Sequence, residues 1–219
     1  MKFFKGLVAA TAISLGVAGT AGAATLTLVG GTSVAFGSGN YDSVCEAGNT
    51  SCYNPNGAAA GLTEDLQAFD SSTPGPGVLV TGSKRVKVTF LGYEAGKLAS
   101  TETTSFLLNG SELFNKTSAV GDSYSFVASG VLDFGFSSNA SGGTLAMNDG
   151  TFVGSASIGF SQIYDSRTVL AFFDDSGASN DRDYDDMVVS ISAVPLPAGM
   201  LLLGTALAGF GLSRRRKAA

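Results

Sequence analysis

The sequence predicts an all-β fold, a β-sandwich of jelly-roll-like type, over residues 24–193, and three observations predict it. Apolar residues between Ala24 and Ala193 alternate or form short runs bounded by Gly, Ser and Asn, with little helical periodicity. Thirty glycines against five prolines supply many tight turns, not a stiff stalk. Fifteen phenylalanines with no tryptophan suit the packed interior of two facing sheets.

The individual segments follow from the same reasoning. Arg85-Val86-Lys87-Val88-Thr89-Phe90 alternates cleanly, so one face is expected to be buried and the other wet. Leu132, Phe134 and Phe136 fall on one face, as do Ala156, Ile158 and Phe160. Thr168–Phe173 and Met187–Ile191 are more continuously apolar, the composition of interior strands. About ten such segments are expected. One short helix is expected over Leu62–Ala68, with Thr63 as its N-cap and Glu64 and Asp65 in its first turn. The stretches 37–61 and 137–150, rich in Gly, Ser and Asn, read as loops.

Charge is unevenly spread. Six of the 13 basic residues sit at the two ends, whereas all 18 acidic residues lie between Asp42 and Asp186. The middle therefore holds 7 basic and 18 acidic residues, a net of −11. A field of that sign repels nucleic acid, which is excluded as a partner, and attracts divalent cations.

The ends read as addresses. In residues 1–23, Lys2 and Lys5 precede the apolar stretch Leu7–Val17, and Ala21-Gly22-Ala23 supplies small residues before a cleavage point. This is the pattern of a signal peptide. At the other end, residues 194–219 begin with Val194-Pro195-Leu196-Pro197-Ala198. An apolar stretch to Leu212 follows, then Arg214-Arg215-Arg216-Lys217. As a helix, 198–212 spans only about 22 Å against a hydrocarbon core of about 30 Å, so the segment is a marginal transmembrane helix. The four cations are expected to stay cytoplasmic and leave the preceding domain outside.

That order of parts resembles the PEP-CTERM class of sorting signals, in its VPLPA-type variant. The resemblance covers about the last 26 residues and implies an exosortase substrate. In that family a membrane transpeptidase of exosortase type is thought to cut near Val194–Ala198 and pass the protein to the cell surface or into extracellular polymer. A permanent single-pass anchor is the alternative, and in both readings the middle domain is extracytoplasmic.

Two constellations within that domain bear on chemistry. Cys45 and Cys52, the only cysteines, are expected to form a disulfide in an exported chain. Its small loop limits the stabilisation to about 2.5 kcal/mol. The second is the run 174–186, read as a loop, in which Asp174, Asp175, Asp181, Asp183, Asp185 and Asp186 crowd six carboxylates around Arg182. Such crowding requires solvation or a hard cation, and Asp181, Asp183 and Asp185 have the alternate spacing that wraps oxygens around calcium. Calcium is thus the candidate cofactor, against a solvated acidic turn whose carboxylates cap N–H groups. The run departs from an EF-hand, because Asp186 stands where that loop needs glycine and Ser192 where it needs a bidentate glutamate. Residues 170–189 also resemble a small C-terminal β module of secreted bacterial proteins, whose pattern closes on acidic residues around a Phe or Tyr.

Catalysis has little support. The chain has no histidine, which removes Ser-His-Asp and Cys-His arrangements. No phosphate loop or nucleophile elbow occurs. The expected function is a non-catalytic structural or adhesive module at the cell surface, in contact with extracellular polysaccharide. The rivals are a calcium-dependent carbohydrate-binding module and a glycosidase built on two carboxylates, a pair that leaves no motif.

Overall fold

The computed structural model describes residues 25–34, 66–93, 102–139, 142–163, 166–175, 184 and 186–194. These residues are all-β. Thirteen strands form two antiparallel sheets, and among the described residues no helix is long and apolar enough to cross a membrane. Both apolar end segments lie outside the described residues, as do Cys45, Cys52, Pro195–Ala198 and the Arg214–Lys217 cluster.

The strands of the larger sheet are β1 (Leu26–Val29), β2 (Thr32–Val34), β3 (Leu66–Phe69), β4 (Gly77–Gly92), β7 (Ser123–Val131), β11 (Ser157–Phe160), β12 (Thr168–Asp174) and β13 (Met187–Val194). They run in the order β1-β4-β13-β12-β11-β3-β2, with β7 on the other edge of β4. The smaller sheet holds β5 (Thr104–Leu108), β6 (Ser111–Asn115), β8 (Phe134–Ser138), β9 (Thr144–Met147) and β10 (Phe152–Val153), in the order β10-β9-β8-β5-β6.

The alternation read from the sequence decides which side of each strand is buried. In β4, Val86, Val88 and Phe90 are buried while Arg85 and Lys87 are exposed. Strands β12 and β13 lie inside the sheet, which explains their near-continuous apolar composition. The facing sides of the two sheets share one core, dominated by phenylalanine. Phe134 of β8 meets Phe160 of β11 edge-on, with centroids 6.2 Å apart, and Phe136 stacks on Phe173 of β12 at 5.2 Å. Phe114 of β6 lies 5.8 Å from Phe90 of β4. Such pairs add roughly 0.5–1.5 kcal/mol each beyond the area they bury.

Two local expectations are overturned. The helix expected over Leu62–Ala68 is replaced, where the chain is described, by strand β3. Its single helical turn of signal loses to cross-strand pairing with β2 and β11, and Leu66, Ala68 and Phe69 are all buried there. The stretch 137–150, read as a loop, contains the end of β8 and all of β9. Small polar residues persist in these strands because only one side of β9 faces the core, where Ala146 packs.

One buried polar side chain joins the sheets. Asn148 follows β9; its Oδ1 accepts from Val78 N–H (2.7 Å), and its Nδ2 donates to Val78 O (2.9 Å) and Leu132 O (2.8 Å). Gly77, at φ +53°, leaves room for it, since a Cβ there would collide with Asn148 Oδ1. Asn148→Ala is expected to remove three buried hydrogen bonds, taking this acceptor from Val78 N–H while Val78 O and Leu132 O keep Leu132 N–H and Phe134 N–H, and to cost about 3 kcal/mol. Thermal unfolding is expected to show a fall in midpoint of about 6–12 °C.

Candidate functional site

The described part of the acidic run is not a solvated turn. Asp174 is the last residue of β12, and Asp174, Asp175 and Asp186 are all at least 96% buried. The strand pleat explains how two adjacent carboxylates are accommodated. Along β12, Val169, Ala171 and Phe173 face the common core, while Leu170 and Phe172 face a second apolar cluster on the opposite side. Asp174 follows the second set, and Asp175 turns toward the smaller sheet, where its Oδ2 accepts from Ser138 Oγ at 2.8 Å.

Asp186 closes the junction between β12 and β13. Its Oδ2 accepts from Asp175 N–H at 2.6 Å, and its own N–H donates to Phe173 O at 3.2 Å. This satisfies a buried donor beyond the regular ladder, which an apolar residue does not do. The expectation that carboxylates cap N–H groups holds for this pair. The expectation of solvation fails for the three described carboxylates, because the two neighbouring strands bury the ends of β12 and β13.

Sequence reasoning assigned no role to Tyr184, which the structure makes the anchor of the run. It is 1% exposed, adopts a left-handed backbone (φ +49°), and packs with Leu66, Ala68, Leu170, Phe172 and Val188. Gly159 of β11 is the floor beneath it: a Cβ there would stand 2.8 Å from Leu66 Cδ1 and 3.0 Å from Tyr184 Cδ1. The available signal was an aromatic residue inside an otherwise charged run.

Asp181, Asp183 and Asp185 lie outside the described residues. Among the described residues no group of three or more His, Cys, Asp or Glu side chains is placed to hold a metal. Ser192, which fills the place of the EF-hand glutamate, sits inside β13 with its Oγ 3.1 Å from Thr168 Oγ1. It is at the end of the strand away from Asp186.

That distal end gathers both ends of the domain. Leu26 N–H donates to Ser166 O (3.0 Å), and Ala193 N–H donates to Arg167 O (2.8 Å). Consecutive residues of one turn thus hold the start of β1 and the end of β13. Val194, the first residue of the sorting motif, is the last residue of β13 and pairs with Arg85. The acidic junction lies at the other end of β13, about 24 Å away over seven strand steps.

Comparison with protein-family models and with curated proteins returned no match for the chain.

Asp186→Ala is expected to destabilise the fold by about 1–3 kcal/mol by uncapping Asp175 N–H, whereas Asp186→Asn keeps an acceptor and is expected to lose less than half as much. Denaturant midpoints of the two variants measure this. Equal losses would mean that charge, and not the cap, is what matters.

Proposed function

We propose that this chain is an exported, non-catalytic surface or matrix module, a β-sandwich released and sorted by cuts at both ends. The observation that carries the reading is the common end of the domain. Leu26 and Ala193 are hydrogen-bonded to Ser166 and Arg167, so a signal peptide before Ala24 and a sorting segment from Val194 leave from one place. A domain fed through a membrane at its N-terminus and held there by its C-terminus is served by that arrangement. Val194 is also the last residue of β13 and pairs with Arg85, so a cut within Pro195–Ala198 leaves the described ladder of β13 whole. An exosortase-type transpeptidase is the partner this implies, and extracellular polysaccharide is the surrounding medium.

The test is the intact mass of the protein recovered from the surface or medium of the producing cells. The expected mass lacks residues 1–23 and everything beyond the Val194–Ala198 region. Retention of residues 200–219 would mean a permanent anchor and would overturn the sorting step.

A calcium-dependent carbohydrate-binding module is the second reading, and Ser157 favours it. Ser157 is the cross-strand partner of Asp174 and is fully buried, and its Oγ makes no hydrogen bond among the described residues. It offers a further oxygen on the side of the sheet where Asp174 lies, beside the run that holds Asp181, Asp183 and Asp185. Calcium at about a hundred times its Kd is expected to add about 2.7 kcal/mol, or about 5–10 °C in unfolding midpoint, reversed by chelation. A midpoint indifferent to calcium removes this reading.

A further inference from the structure

Edge strands expose unpaired N–H and C=O groups, and proteins ordinarily blunt them by shortness or charge. Four edges here follow that practice. Strand β1 has four residues, β2 three and β10 two, and β6 carries Glu112. Strand β7 does not. It has nine residues, SYSFVASGV, none charged, and no described strand lies beyond it.

The pairing with β4 shows which groups point outward. Phe90 N–H donates to Asp122 O (2.8 Å), and the register continues through Val88↔Tyr124, Val86↔Phe126 and Lys84↔Ala128 without a shift. In an antiparallel ladder these alternate pairs exchange the hydrogen bonds. Ser123, Ser125 and Val127 therefore turn their N–H and C=O groups away from β4.

The side chains of β7 are as open as its backbone. Of the six large exposed hydrophobics among the described residues, Tyr124, Val127 and Val131 are on β7 and Val120 just precedes it. Val127 is 67% exposed and Tyr124 is 49% exposed. Tyr124 and Phe126 stack at 6.4 Å on the core side, opposite buried Val88 and Val86. Tyr124 is exposed and Phe126 only half-buried against the core, because β6, the last strand of the smaller sheet, meets β4 through the Phe114–Phe90 contact. The larger sheet overhangs the smaller one by this strand.

We propose that β7 is a self-association edge, at which two copies of this chain pair β7 to β7, antiparallel, and continue the larger sheet across a two-fold axis. A second copy is the occupant that the charge pattern favours. A two-fold axis sets each residue of a strand near its own twin, so a charged edge repels itself, and β7 has no charge from Ser123 to Leu132. An axis through Phe126 sets Ser125 opposite Val127 of the second copy and Tyr124 opposite its Ala128. The outward-facing Ser125 and Val127 then form the bonded pairs, within the stretch that precedes the register shift after Ala128. Arg85 and Lys87 on β4 stand three strand spacings from their twins, about 14 Å, beyond the Debye length of about 8 Å at physiological salt. The dimer also covers the overhanging Tyr124 and Phe126 rings.

The test is sedimentation of the full chain in mild detergent across micromolar concentrations, for wild type and three variants. Val127→Lys places like charges near the axis, and Val127→Pro removes an outward N–H that β4 does not use. Thr32→Lys alters the opposite edge, at β2. Wild type and Thr32→Lys are expected to sediment at twice the 22.1 kDa chain mass. Both Val127 variants are expected to raise the dimer Kd at least about tenfold, with the unfolding midpoint of the monomer, measured at high dilution, unchanged. A monomeric wild type overturns the proposal, and so does a dimer indifferent to both Val127 variants.

Discussion

The arrangement of this domain depends on β13 being bonded along both edges. It pairs with β12 through six residues and with β4 through seven, and Met187, Val188, Val189 and Ile191 are fully buried. A strand in that position has no freedom to slip, since a shift of one residue would turn its apolar set to the wrong face. Its two ends are therefore fixed. One receives the acidic run through Asp186, and the other delivers Val194 beside the start of β1. The separation of the acidic junction from the two termini follows from the length of this one strand.

Joining the two sheets requires more than phenylalanine contacts, which are strong but permissive of sliding. The polar links supply the register. Asn148 binds the backbone of β4 and of the segment before β8, and the Ser138–Asp175 hydrogen bond ties β8 to the end of β12. Each is buried, so each has a narrow geometric tolerance and a high cost of loss. The aromatic core supplies most of the cohesion, and these few polar groups select one relative placement of the sheets.

The fold was legible wherever period and burial agree. Arg85–Phe90, Ser157–Phe160, Thr168–Phe173 and Met187–Ile191 are strands because their alternation or continuity matches one or two buried faces. Leu66–Phe69 was misread because a few residues with good capping signals carry too little periodicity to outweigh pairing from β2 and β11. Thr144–Met147 was hidden by small polar neighbours, although its pairing with β8 is regular. At the acidic run the residue types were legible and their burial was not. Nothing local in Asp174-Asp175 says that the pleat sends one carboxylate to each side of a sheet. The role of Tyr184 depends equally on Gly159 and Leu66, which are distant in sequence.

The polarity of the strands constrains how self-association and sorting combine. Strand β7 runs parallel to β13, because both are antiparallel to β4. A two-fold axis that pairs β7 with itself reverses the strand direction in the second copy. The turn at Ser166–Arg167, with the start of β1 and the end of β13 beside it, then points one way in one copy and the opposite way in the other. On the sorting reading proposed above, two chains held in one bilayer with their strands along the membrane normal would share one direction and would not meet in that geometry. Under that reading pairing at β7 would belong to released chains, or to one anchored and one free, and a cut near Val194 would be the step that permits assembly.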